Sequence, residues 1–272
     1  MTSVPQANDR AGGVTLRSSR HAPYMIAFLL FACAAGATFY FDHSMSGGML
    51  MPGNWTMSMM WMPMGSEFTA AAIFTLMWLA MMVAMMLPST MPMLLLYRRA
   101  AALRGEDHLA WAMFAAGSGY FFVWTLFGVV AYSIGVVITR GAMHWDSFSR
   151  VLPLAGGLAL CTAGIYQLTP WKSACLKHCR DPLTLITGHL HSGRFGALRL
   201  GIRHGAFCAA CCWGLMLIQL VLGVMNLTVM VAVAVVIAIE KLFPRGEWLA
   251  RAVGLSAIAA GVVITALSVR AL

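Results

Sequence analysis

Seven cysteines stand in this 272-residue chain, and five of them fall in two short strings. In YQLTPWKSACLKHCRDP, Cys175 and Cys179 are four apart, with His178 three residues after Cys175. In HGAFCAACCWG, Cys208 and Cys212 are four apart, with Cys211 between them. Residues at i and i+4 share one helix face, so each string presents two thiols on one side. Two such pairs at one membrane face would close a four-thiolate tetrahedron, which suits zinc. They would equally offer two or three thiolates to Cu(I). The spacing departs from the C-x₂-C of zinc ribbons. The plainer reading, cysteine as a small core hydrophobe, fits Cys33 and Cys161. His189, His191 and His204 lie near the second string and could add imidazole, though a lone histidine there also reads as an exposed polar residue.

The second chemical signal is methionine. The chain has 22, and 15 fall between Met45 and Met93. Met77, Met81 and Met85 recur every fourth residue and share a helix face, with Met82 and Met86 beside them. That face is either a thioether track or flexible filler in a helix interface. The stretch DHSMSGGMLMPGNWTMSMMWMPMGSE adds Met45, Met49, Met51, Met57, Met59, Met60, Met62 and Met64, beside His43. Thioethers are soft, uncharged ligands that suit Cu(I). The competing reading is an interfacial Met and Trp patch. Glu240 is the one carboxylate inside an apolar run. It reads as a metal ligand or a base orienting one, or as an interfacial group beside a snorkelling Lys241.

The elements that carry these groups are apolar runs. The chain is 60% hydrophobic and 10% charged, against about 25% charged in a soluble domain. A polar segment, 1–22, reads as a disordered tail, and 23–272 as one transmembrane helical domain. The expected spans are Pro23–Phe41, Phe68–Leu96, Trp111–Ile138, Val151–Leu168, His204–Met225, Leu227–Phe243 and Trp248–Val269. A signal peptide is the rival reading of the first, since Leu30–Cys33 resembles a lipoprotein cleavage box. The apolar run continues well past that point, which favours a retained helix. Runs five and six meet at Gly223–Asn226 as a tight hairpin that sets the three thiols and Glu240 at one depth. Between spans lie a Met-rich outer loop, 42–67, and a basic inner loop, 169–203, in which Thr169-Pro170 is a good helix start.

Orientation follows from the placement of Lys and Arg. With the N-terminus inside, 15 of these residues lie inside and 3 outside. The net charge of +9 thus reads as topology, with Lys172, Lys177, Arg180, Arg194, Arg199 and Arg203 held against anionic lipid. No nucleic-acid partner is expected. The fold class is all-α: a polytopic transmembrane bundle of about seven spans, N-terminus inside and C-terminus outside. Gly117, Gly119, Gly156, Gly157, Gly254 and Gly261 should let helices approach closely.

The strings WLAMMVAMMLPSTMPMLLLYRR, YQLTPWKSACLKHCRDP and GIRHGAFCAACCWGLMLIQLVLGVMNLTVMVAVAVVIAIEK resemble a bacterial family of uncharacterised, predicted metal-binding integral membrane proteins. The resemblance covers about residues 68–245. It implies a helical membrane domain in the bacterial inner membrane and a bound metal, without an established activity. It carries over to Met81, Met82, Met85, Met86 and Pro88, and to Cys175, Cys179, His204, Cys208, Cys212 and Glu240. The family pattern is less demanding at Cys211 and His178. The leading expectation is handling or transport of a soft metal, Cu(I) before zinc, between the outer Met loop and the inner thiols. The alternatives are a metal-dependent membrane enzyme or redox protein, and an assembly factor that hands metal to a membrane complex or takes it from a metal chaperone. No hydrolase, oxygenase or haem signature favours the enzyme. A monomer and an oligomer both fit the helix count.

Overall fold

The computed structural model describes residues 9–45, 47–61, 65–105, 108–181, 194–224, 226–243 and 246–271. Eight α-helices account for most of them. These are α1 (Asp9–Met45), α2 (Glu67–Leu103), α3 (Leu109–His144), α4 (Asp146–Leu168), α5 (Pro170–Arg180), α6 (Arg194–Leu222), α7 (Leu227–Leu242) and α8 (Gly246–Ala271). Their ends follow local chemistry. Ser66 caps α2 by accepting from the Thr69 amide at 3.2 Å. Thr169 caps α5 by accepting from the Lys172 amide, with Pro170 in the first turn where its missing donor costs nothing. Asn226 caps α7 by accepting from the Val229 amide at 3.1 Å.

Among the described residues, six helices are long and apolar enough to cross a membrane: α2, α3, α4, α8, the His21–Ser44 part of α1 and the Phe195–Leu222 part of α6. The expected seven spans are corrected here. The sixth, α7, has 16 residues and is about 24 Å long at 1.5 Å per residue, short of a hydrocarbon core of about 30 Å. Packing explains how a short helix serves. A Cβ on Gly156 of α4 would lie 3.5 Å from Val221, so the end of α6 sits level with the third turn of α4. Val221 is thus about 15 Å below the start of α4, and the α6–α7 turn that follows it is recessed. Gly223, at φ +122°, makes the turn.

The Met-rich loop folds as an element that the sequence did not announce. Strands β1 (Gly48–Met51) and β2 (Trp55–Ser58) pair antiparallel, Met49 opposite Met57. The Trp55 indole donates to the Ser149 carbonyl at 3.1 Å, and the Ser149 hydroxyl donates to the Pro52 carbonyl at 2.8 Å. The hairpin is therefore pinned to the first turn of α4. Met51, Met57 and Met60 are buried, whereas Met49 is exposed. Met62 and Met64 lie outside the described residues.

Glycines set the tightest helix contacts. A Cβ on Gly164 of α4 would lie 2.5 Å from the Gly254 carbonyl of α8, and one on Gly261 would lie 2.6 Å from the Gly157 carbonyl. These two helices run antiparallel. The segment 169–203, expected as a basic loop, is helical over α5 and the first turns of α6. The segment read as a tail is helical from Asp9.

Candidate metal centre

The two arms of the α6–α7 hairpin build the centre. Cys208 lies 15 residues before Gly223, and Lys241 lies 15 residues after Asn226. Equal arms set them at one level, and the Lys241 ammonium donates to the Cys208 sulfur at 2.9 Å. Helix α2 adds Ser89 Oγ at 3.5 Å and Met86 Sδ at 3.9 Å from the same Nζ. Helix α3 adds Tyr120, whose hydroxyl is 2.9 Å from Cys208 Sγ. Close helix approach makes this reach feasible: a Cβ on Gly205 would lie 2.9 Å from the Tyr120 carbonyl. Buried His204 faces the Tyr120 ring at 5.6 Å.

The other thiols continue from this point. Cys211 Sγ lies 3.4 Å from Cys212 Sγ and 3.7 Å from Cys179 Sγ on α5. Cys175 is half-buried, one turn earlier on α5, against the same core. The structure thus gathers Cys179, Cys208, Cys211 and Cys212, but as a chain of neighbours. Among the described residues no three His, Cys, Asp or Glu side chains form a group set to hold a metal ion. The closed cage of two i, i+4 pairs is therefore not preformed. His178 stands apart, exposed and stacked on Phe207 at 4.7 Å. His189 and His191 lie outside the described residues.

Thioethers extend the sulfur surface. Met77, Met81, Met82, Met85 and Met86 are all buried, in one core cluster with Met60, Met216, Met230 and the three α6 cysteines. The Gln219 amide donates to Met81 Sδ at 3.3 Å. One buried cluster therefore holds Met60, beside the Met-rich hairpin, the α2 methionines and the α6 thiols.

Glu240 does not join them. It is 1% exposed, and its carboxylate accepts from the Lys172 ammonium at 2.7 Å. Lys172 also donates to Gln167. Arg180 Nε donates to the Glu240 backbone carbonyl at 2.8 Å, at the end of α7. Two expectations are corrected by this. Lys172, also 1% exposed, is not held against lipid. Neither Glu240 nor Lys241 reaches water. The signal was in the sequence: Lys172, Cys175, Leu176 and Cys179 lie at i, i+3, i+4 and i+7, one α5 face. Met230, Val233, Ile237 and Lys241 form the corresponding buried face of α7. Tyr120, Gln167 and Gln219 carried no such mark, because each sits in an otherwise apolar helix.

Residues 75–264 match the PpoB2 family, described as a copper chaperone. That is well over half of the chain. The chain belongs to the PpoB2 copper chaperone family. Its function is therefore copper-related, and the matched region contains all four gathered thiols, the α2 methionine face and the buried Lys172–Glu240 pair. No curated protein and no solved structure matches the chain.

Proposed function

We propose that this chain is a membrane-embedded copper(I) chaperone, which holds Cu(I) at Cys208, Cys211, Cys212 and Cys179 and hands it to a partner. The observation that carries the reading is the contact of Cys179, Cys211 and Cys212 within a buried cluster that also holds the α2 methionines. Soft thiolates and thioethers select Cu(I) over harder ions. Lys241 supplies a counter-charge beside a copper thiolate, where an uncompensated buried charge would be costly. An uncaged chain of thiols suits a carrier, since two thiolates can hold the ion while a third begins its transfer. Family membership favours delivery over enzyme chemistry or bulk transport.

The membrane part of the reading rests on six long apolar helices and on the 15-to-3 split of Lys and Arg. On the resemblance to a bacterial family, that membrane is the bacterial cytoplasmic membrane. The N-terminus then lies inside, and the Met-rich hairpin lies outside at the entry to the sulfur surface. The thiols lie toward the inner half.

The test is elemental analysis of the purified protein in detergent under reducing conditions, beside Cys208→Ser/Cys211→Ser/Cys212→Ser. The expected result is about one copper per chain, lost in the variant and removable by a competing Cu(I) chelator. Zinc in its place would overturn the copper assignment. No metal in either protein would overturn the site.

A further inference from the structure

A second polar site lies away from the thiols, where α1, α2 and α3 meet. A cavity of about 540 Å³ is lined by His21 and Tyr24 of α1, Leu95, Arg98, Arg99 and Ala102 of α2, and Leu109 of α3. The α2 residues fall at i, i+3, i+4 and i+7, so one helix face supplies two guanidinium groups between two apolar side chains. His21 and Tyr24 are i, i+3 and face them from α1. Ala102 is small, which leaves room beside the two arginines.

We propose that this cavity binds the phosphate headgroup of an anionic phospholipid, a site separate from copper handling. Guanidinium groups bind phosphate oxygens with a fork of parallel donors, and a phenol and an imidazole add further hydrogen-bonding groups. Leu95 and Leu109 provide the apolar wall that a glycerol backbone and the first acyl carbons require. The position fits the ligand. The site lies at the end of α2 and the start of α3, the membrane boundary that carries Arg98, Arg99 and Arg104. Basic pockets between transmembrane helices at that boundary bind anionic lipid headgroups. Exposed Tyr24, Met25, Phe28 and Leu29 continue along α1 from the cavity, an apolar surface for the chains. The proposal rests on the membrane reading above and not on the copper site.

The experiment is native mass spectrometry of the detergent-purified protein, titrated separately with phosphatidylglycerol, phosphatidylcholine and inorganic phosphate. Wild type is compared with Arg98→Gln/Arg99→Gln. Each arginine near a lipid surface contributes about 1 kcal/mol, so the double variant should retain phosphatidylglycerol about 25-fold less well. Its thermal unfolding in detergent should match wild type, which shows that it is folded, and any bound copper should be unchanged, which separates this site from the thiols. Wild type should prefer phosphatidylglycerol to phosphatidylcholine, a comparison that needs no variant. Equal retention of the two lipids would overturn the proposal. So would a folded double variant that binds phosphatidylglycerol like wild type. Displacement of the lipid by millimolar inorganic phosphate would reassign the cavity to a free anion and overturn the lipid assignment.

Discussion

At the scale of residues, the structure separates two roles that proximity in sequence had merged. Glu240 and Lys241 are neighbours, yet Lys241 turns to Cys208 and Glu240 turns to Lys172. The first contact bears on the metal and the second on the fold. A buried ion pair is strongly destabilising to break, because one charge is left without its partner. Glu240→Ala is therefore expected to cost about 3–5 kcal/mol, read as loss of helical ellipticity on heating in detergent. Replacing both charges, as Lys172→Met/Glu240→Leu, should recover most of that loss. A double variant no better than Glu240→Ala would show that the carboxylate acts otherwise. Lys241→Met should instead leave the melting profile closer to wild type and alter Cu(I) competition, since the lysine sits on a sulfur and not on a carboxylate. The thiols and the methionine face were legible because soft side chains at helical spacing are rare. Lys172 was missed because a cationic side chain on a basic segment reads as solvated until its face is compared with Cys175, Leu176 and Cys179.

At the scale of elements, glycines decide which helices touch. Gly157 and Gly164 on α4 are seven apart, as are Gly254 and Gly261 on α8, so both pairs lie along one seam. A methyl group there meets backbone, which cannot move aside without parting the helices. Gly164→Ala should cost about 1–3 kcal/mol, the usual range for overpacking. Gly117→Ala is the control: nothing lies within 4 Å of its Cβ position, and alanine gains up to about 1 kcal/mol in helix propensity. Thermal unfolding of the two variants should move in opposite directions or leave Gly117→Ala unchanged; equal losses would refute the seam. The sequence named Gly119, Gly157, Gly254 and Gly261 for such contacts, and all four meet backbone. It also named Gly117, which meets nothing, and Gly156, which makes only ordinary contact with the Val221 side chain, and it overlooked Gly164 and Gly201. A glycine's own helix cannot say which of its faces will find a neighbour. The β-hairpin was missed for a related reason. Met, Gly and Trp give no clear alternation, and its register depends on pinning by Ser149 from a helix nearly a hundred residues away.

At the scale of the whole molecule, the number of crossings follows from how helices run and not from their length alone. Helix α7 is too short for lipid, yet α8 begins where α7 ends: a Cβ on Gly246 would lie 2.6 Å from the Glu240 Cα. From there α8 runs antiparallel to α4, with Gly254 beside Gly164 and Gly261 beside Gly157. Helix α7 therefore runs back through the bundle from its recessed tip, although it is not among the six helices long enough to cross a membrane. If that return carries the chain to the other face, the two ends lie on opposite sides, as the Lys and Arg bias predicts. Six passes would place them together. The two cases are separated by fusing a reporter that fluoresces only in the cytoplasm and, in parallel, a phosphatase active only outside it. We expect a fluorescent, phosphatase-inactive fusion at the N-terminus and the reverse after Leu272. A fluorescent fusion at both ends would mean that α7 turns back within the membrane. The Met-rich hairpin and the α6–α7 tip keep their side in either case, because both precede α7 in the chain; what changes is the face on which α8 begins.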